Sequence, residues 1–217
     1  MEDFEKKEGK PPKQEFHALI ENPEKLKGLL ERSHFYDGSE LFNAEGAWKE
    51  WARGRNFIAS AIDKDGSLLD FGSANGLLLK SIQEWTDHKI DPYGLDTDDQ
   101  AIRDAKELFP EQETHFATPD ELKQRKNFPR DFDFVYWNVW DNYEIKPDDK
   151  LFQQLMSGTK SGGRFILGFY DAKEKNEKKI QELIALGFQP SRVLENPNGG
   201  DEMIIWFDRD RGPSIGG

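Results

Sequence analysis

The sequence contains no cysteine, which excludes disulfide bonds and metal sites built on thiolates. Its histidines are widely separated and do not share the spacing of metal ligands. They are interpreted as surface or packing residues, and they are His17, His34, His88 and His115. The sequence also lacks a convincing acid–base pair or an activated nucleophile. No metal site is therefore predicted.

Long apolar runs are missing as well. No run approaches the roughly 20 residues that a membrane-spanning helix needs. The N-terminal stretch MEDFEKKEGKPPKQ lacks the apolar core of a signal peptide. The cytoplasm is therefore the expected location, and no membrane partner is expected.

A basic stripe is the third feature that the sequence lacks. The formal net charge is −12 and the isoelectric point is near 4.9. Proteins that bind duplex nucleic acid usually carry a basic stripe, because contacts with phosphates supply most of their affinity. The short basic group between Lys123 and Arg130 is broken by Asn127 and Pro129, and it is interpreted as a solvated loop. A nucleic-acid partner is therefore not expected, and the acidic surface favours a small or cationic one.

The most informative stretch runs from Ser67 to Gly76 and reads SLLDFGSANG. Apolar residues around Asp70, a turn of small residues and the amphipathic run LLLKSIQEW predict a buried strand, a tight turn and a helix. A helix that begins there points its free N–H groups at the turn. The next predicted strand ends in Asp96, about 20 residues after Gly76, which is where an acid can hold ribose hydroxyls. The pattern predicts a nucleoside-containing cofactor, although a purely structural turn would look the same.

The rest of the chain alternates between predicted strands and helices, which indicates a parallel sheet with helices on both faces. Strands are predicted near residues 67–71, 92–95, 114–117, 132–137, 164–169, 188–194 and 202–208. The last two have no helix between them, so an antiparallel pair is expected. The predicted organisation is a disordered tail (1–14), an N-terminal helical extension (15–62), a cofactor-binding domain (63–209) and a second disordered tail (210–217). Within the extension, Asn22 and Pro23 are expected to begin a short helix, and residues 45–62 a longer one.

The turn resembles the first motif of the class I S-adenosylmethionine (SAM)-dependent methyltransferases, D-x-G-x-[GA]-x-G. The segments DPYGLDTDDQAIRDAKELFP, DFDFVYWN and SGGRFILGFY follow in that family's order and spacing, so the resemblance covers about residues 45 to 208. It implies a Rossmann-like fold: a seven-stranded, mostly parallel sheet with an antiparallel last strand, helices on both faces and a helical extension. It also implies SAM as the cofactor. Ala74 stands where many members have glycine, and it is expected to be tolerated with a negative φ angle.

The resemblance also implies roles for individual residues. Asp70 and the turn residues Gly72, Ser73, Ala74, Asn75 and Gly76 would face the methionine part of SAM. Asp96 and Thr97 would hold the ribose, and Thr118 and Asp120 the adenine amino group, although Thr118 could equally cap the helix that follows. Asn138 would lie next to the transferring methyl group. Trp140 and Tyr143 would either form an aromatic wall beside the sulfonium or pack a lid.

The predicted function is methyl transfer from SAM to an unidentified acceptor, expected to be a small molecule. Enzymes that methylate amino groups in nucleic acids carry [DN]-P-P-[YFW] after strand four, whereas this chain reads Asn138-Val139-Trp140-Asp141. Two alternatives are a non-catalytic methyltransferase-like protein that binds SAM or a nucleoside, and a nicotinamide-dependent oxidoreductase. The sequence does not indicate the acceptor, a general base or the oligomeric state.

Overall fold

The computed structural model describes residues 18–19, 21–32, 44–125, 127–139, 143–146 and 148–209. Their strands are β1 (Gly66–Phe71), β2 (Ile90–Leu95), β3 (Phe116–Ala117), β4 (Phe132–Asn138), β5 (Thr159–Phe169), β6 (Arg192–Glu195) and β7 (Met203–Asp208). The helices are α1 (Pro23–Arg32), α2 (Ala44–Arg53), α3 (Leu77–Trp85), α4 (Asp99–Leu108), α5 (Pro119–Gln124), α6 (Lys150–Ser157) and α7 (Lys173–Ala185). Two segments, Asn56–Ala61 and Pro110–His115, are 3-10 helices. No helix in these ranges is long and apolar enough to cross a membrane.

The strands form one sheet of seven in the order β3-β2-β1-β4-β5-β7-β6. Strands β1 to β5 pair with one another in parallel, and β7 is antiparallel to both β5 and β6. The predicted seven-stranded sheet with an antiparallel last strand is therefore confirmed. The chain proceeds outward from β1 to β3 and then returns to place β4 on the other side of β1. Such a reversal opens a crevice at the carboxyl ends of the two central strands, where open α/β sheets bind their ligands.

Alternating side chains separate the core into two clusters, one on each face of the sheet. Leu68, Phe134 and Ile166 belong to the first cluster, which packs against α1 to α4. Leu69, Val135 and Leu167 belong to the second cluster, which packs against α6 and α7. Asp70 has the same parity in β1 as Leu68, so it faces the side of the first cluster.

Polar side chains fix where several helices begin. The Asn22 side-chain oxygen accepts a hydrogen bond from the Lys25 amide (3.2 Å), and Pro23 is the first residue of α1, as the sequence predicts. The Asp98 carboxylate caps α4 by accepting from the amides of Gln100 (2.7 Å) and Ala101 (3.2 Å).

Some predicted boundaries are wrong. The long helix expected over residues 45–62 is broken into α2 and a 3-10 helix, because the chain turns at Gly54 and Arg55. A Cβ on Gly54 would lie 2.8 Å from a carboxylate oxygen of Glu202, so a larger residue here would require that flexible side chain to move. Strand β6 begins only at Arg192, after Pro190, whose lack of an N–H suits it poorly to pairing with β7.

Candidate functional site

The turn between β1 and α3 lies at the carboxyl edge of the sheet and faces open space. Gly72 has a φ angle of +81°, which glycine adopts without strain. A Cβ atom built on Gly72 would meet no other atom within 4 Å. A ligand can therefore approach the backbone of this turn closely.

Ala74 has a φ angle of +45°, so the expectation of a negative φ is wrong. A left-handed conformation costs a residue with a Cβ about 1–2 kcal/mol. The Ala74 amide donates a 2.8 Å hydrogen bond to Oδ2 of Asp96, and this bond holds the turn in place. The family's preference for glycine at this position is the signal that could have indicated a positive φ angle.

Asp96 follows β2 and connects the turn to the start of α4. Its Oδ2 accepts from Ala74, and its Oδ1 accepts from the Asp98 amide at 2.9 Å. A carboxylate has about four lone-pair sites, so two hydrogen bonds leave it able to accept others. Thr97, which comes next, is exposed.

The other side chains of the turn point into the protein and position the backbone. Ser73 is buried, and its hydroxyl has no hydrogen-bond partner among the described residues. Asn75 is fully buried; its Nδ2 donates to the Leu29 carbonyl of α1 (2.7 Å) and its Oδ1 accepts from the Leu77 amide (3.2 Å). A Cβ on Gly76 would lie 3.1 Å from the ring of Phe109, so this glycine allows α3 to begin against α4.

Asp70 is the most strongly perturbed acid near the turn. It is 3% exposed and lies in register with Gly94 of β2 and Tyr136 of β4. Burial, and secondly the negative charge of Asp96, raise the pKa of Asp70 to about 8. The structure gives its side chain no hydrogen bond within the described ranges.

Two tyrosines near Asp70, and an arginine beside one of them, were not among the predicted cofactor-binding and catalytic residues. The Tyr136 and Tyr170 hydroxyls are 3.0 Å apart, and burial raises the pKa of both. The Arg55 guanidinium lies over the rings of Trp51 and Tyr170, 5.0 and 5.1 Å from their centroids. Tyr136 interrupts the otherwise apolar run at the end of β4, which is the signal that could have pointed to it.

Two of the predicted catalytic residues, Asn138 and Tyr143, lie in the described part of the chain after the start of β4. Asn138 is exposed at the tip of the strand, in register with Gly168. Trp140 lies outside the described residues. Tyr143 packs on Trp137 with ring centroids 4.9 Å apart, and its hydroxyl donates to Asp149 at 2.7 Å. Tyr143 therefore belongs to the second core cluster, on the opposite face of the sheet from Asp70.

The residues after β3 lie at the start of α5. The Thr118 hydroxyl accepts from the Glu121 amide and the Glu121 carboxylate accepts from the Thr118 amide, both at 3.2 Å. This reciprocal pair is a capping box, so the capping interpretation of Thr118 is confirmed. Asp120 is exposed and pairs with Lys123 at 2.8 Å.

A polar cavity that the sequence analysis did not predict lies at the opposite, amino-terminal edge of the sheet. It measures about 760 Å³ and is lined by residues that include Ser67, Asp133 and Lys160. The Lys160 ammonium pairs with Asp133 at 2.9 Å, and Ser67 donates to the same carboxylate. These groups satisfy one another. Among the described residues, no group of three or more His, Cys, Asp or Glu side chains could hold a metal ion.

No protein-family model matches the chain, and no curated protein matches it in sequence. Several solved structures have folds similar to that of this chain. The ribosomal protein L11 methylase of Lactobacillus delbrueckii subsp. bulgaricus is 19% identical over 71% of this chain and 76% of its own, with a TM-score of 0.50. The mitomycin 7-O-methyltransferase is 16% identical over 77% of this chain and 56% of its own (TM-score 0.54). A putative methyltransferase from Pseudomonas syringae is 16% identical over 75% of this chain and 99% of its own (TM-score 0.51). The chain therefore has the fold of the class I SAM-dependent methyltransferases.

Proposed function

We propose that this protein is a SAM-dependent methyltransferase that acts on a small-molecule acceptor. The observation that carries the proposal is the open turn at Gly72, held by Asp96 at the crevice between the carboxyl ends of β1 and β4. The similar structures include a methylase named for a ribosomal protein and a methyltransferase named for mitomycin, so they support the transfer of a methyl group without selecting an acceptor.

The residues at this edge fit the proposed cofactor. A side chain on Gly72 would project into space that a ligand can occupy, and Asp70 is a buried carboxyl without a hydrogen-bond partner in the described part of the chain. Asp96 and Thr97 would hold the ribose, the turn from Gly72 to Gly76 and Asp70 would face the methionine part, and Asn138 would lie near the methyl group. Thr118 and Asp120 would border the adenine.

SAM supplies a methyl group that is already activated for direct displacement. The contribution of the protein is therefore to bind, to orient the acceptor and to exclude water. Alignment of this kind can lower a barrier by about 7–11 kcal/mol in favourable cases. This chemistry asks for no metal and no covalent intermediate with the protein.

Contacts between α2 and the turn that joins β6 to β7 cover one end of the sheet, and this cover favours a small acceptor. The turn between β6 and β7 is fastened to the end of α2, because Asn196 and Asn198 donate to the Arg53 carbonyl at 3.1 and 2.9 Å. The Arg55 guanidinium lies over the rings of both Trp51 and Tyr170. Together with the net charge of −12, this cover disfavours a bulky polyanion.

A non-catalytic protein that binds SAM or a nucleoside is the second candidate. It would bind its ligand at the same turn and differ from the first candidate only in that no methyl group is transferred. A nicotinamide-dependent oxidoreductase is disfavoured, because β7 lies antiparallel between β5 and β6 instead of continuing the βα pattern.

Calorimetry with SAM, its demethylated product S-adenosylhomocysteine (SAH) and NAD tests the proposal, followed by turnover of labelled SAM with a pool of metabolites. We expect SAM and SAH to bind, NAD not to bind, and label to appear in a metabolite. Binding without transfer to any acceptor would favour the second candidate. If neither SAM nor SAH binds, the proposed function is wrong.

A further inference from the structure

The Asp70 carboxyl is an unusual group to find inside a fold. It is 3% exposed, and no hydrogen bond reaches it from the residues that the structure describes. Buried polar groups are nearly always hydrogen-bonded, because an unpaired one destabilises the folded state. We therefore expect a bound ligand to supply the hydrogen-bond partner that Asp70 lacks in the described part of the chain.

The groups around Asp70 make its negative charge costly in the ligand-free protein. From the side of β2, the Asp96 carboxylate repels it. From β4 and from the end of β5, it faces the phenols of Tyr136 and Tyr170, which it affects electrostatically. Arg55 and Glu202 act on Tyr170 with opposite charges. Burial and Asp96 together raise the pKa of Asp70 to about 8, so at neutral pH this carboxyl carries a proton.

We propose that Asp70 couples binding of the cofactor to release of a proton. The carboxyl holds a proton while the site is empty and gives it up when the positively charged amino-acid end of the cofactor enters. The O–H bond of the Asp70 carboxyl breaks, the proton passes to the solvent, and the carboxylate pairs with the ligand's ammonium group. No bond to the ligand forms, and nothing is oxidised or reduced. This inference rests on the proposed function, and it adds a proton transfer to the expected position of Asp70.

A pH dependence follows from this coupling. Below the pKa of Asp70, expelling its proton costs tenfold in affinity for each pH unit, so binding of SAH is expected to tighten about tenfold per unit between pH 6 and 7.5. A ligand that lacks the amino-acid end, such as 5′-methylthioadenosine, brings no ammonium group. Its affinity is expected to be independent of pH over the same range.

The test is titration calorimetry of the full chain at pH 7, in phosphate and in Tris, whose different enthalpies of protonation reveal the number of protons released. Wild type is expected to release close to one proton with SAH and none with 5′-methylthioadenosine. Asp70→Asn is expected to release none. Asp104→Asn, a buried carboxylate replaced away from the turn, is expected to behave as wild type.

Several outcomes would overturn the inference while leaving the proposed function intact. One is SAH binding to wild type without proton release, and another is equal release with both ligands. A third is a folded Asp70→Asn variant that still releases the proton. If that variant does not fold, the comparison of the two ligands on wild type decides alone. Failure of SAH to bind to wild type would overturn the proposed function together with this inference.

Discussion

At the scale of single residues, Gly72 combines a backbone conformation that favours glycine with neighbouring space that a ligand can occupy. Gly72→Val would strain a φ angle of +81° and place two methyl groups in the open space at the turn. We expect SAH binding to be lost and stability to fall by about 1–2 kcal/mol or more. Gly187→Val is the matched control, because Gly187 has a φ angle of +93° and equally open surroundings at the end of α7. Calorimetry and urea unfolding should show a similar loss of stability in the control with unchanged affinity.

Asp96 is expected to act on both the ligand and the turn. Removal of two hydrogen bonds to a charged group, each contributing about 1.5–3 kcal/mol, should weaken SAH binding about a hundredfold or more in Asp96→Ala. Asp96→Asn should be milder, since the amide keeps one acceptor. Asp98→Ala is the control, because it removes the cap of α4 and should cost about 0.5–2 kcal/mol of stability without changing affinity. Normal SAH affinity in Asp96→Ala would exclude the assignment to the ribose.

Particular residues show which features of the site can be predicted from the sequence and which cannot. The turn, Asp96 and the cap at Asn22 could be predicted because spacing along the chain determines them. The left-handed Ala74 could be suspected only from the family's preference for glycine, since its conformation depends on the hydrogen bond that its amide donates to Asp96 in another loop. Tyr170 lies near Asp70, and Arg55 near Tyr170, only because of the paths taken by the chain after β5 and after α2, which no local pattern records.

At the scale of elements, α1 is joined to the turn by Asn75. Asn75→Ala removes the bonds to the Leu29 carbonyl and the Leu77 amide inside the protein, and should cost about 1–3 kcal/mol. We expect amide hydrogen exchange in Pro23–Arg32 to accelerate together with exchange at the turn. Asn22→Ala, which only weakens the cap of α1, should accelerate exchange in α1 and leave the turn protected. Equal exchange at the turn in both variants would show that Asn75 does not join the two elements.

The order of elements was predictable, whereas some of their boundaries were not. Continuous apolar runs identify β4 and β5 because buried parallel strands are apolar on both faces. The chain after α2 lies against Glu202, which is distant in sequence, and the Tyr143 hydroxyl is held by Asp149. Contacts of this kind are set when elements pack, so sequence periodicity does not contain them.

At the scale of the whole molecule, Asp70 should make the ligand-free protein less stable as the pH rises. Its folded-state pKa is raised from 3.8 to about 8, so the folded state binds more protons than the unfolded state between these values. Stability is therefore lost as the pH increases through this window, by up to about 1.4 kcal/mol per pH unit. Urea unfolding between pH 5 and 8 should show a shallower slope for Asp70→Asn than for wild type. Equal slopes in the variant and in wild type would contradict the expectation.

The hydrogen bonds between the end of α2 and the turn that joins β6 to β7 affect the order in which the protein folds during synthesis. The bonds from Asn196 and Asn198 to the Arg53 carbonyl connect positions 143 and 145 residues apart in the chain. Contacts between such distant positions form slowly, and a chain emerging from the ribosome presents its N-terminal part first. The end of α2 can therefore gain these bonds only after the last hairpin has been synthesised. They are among the last contacts to form in the biogenesis of the protein, and a nascent chain that stops before β6 cannot make them.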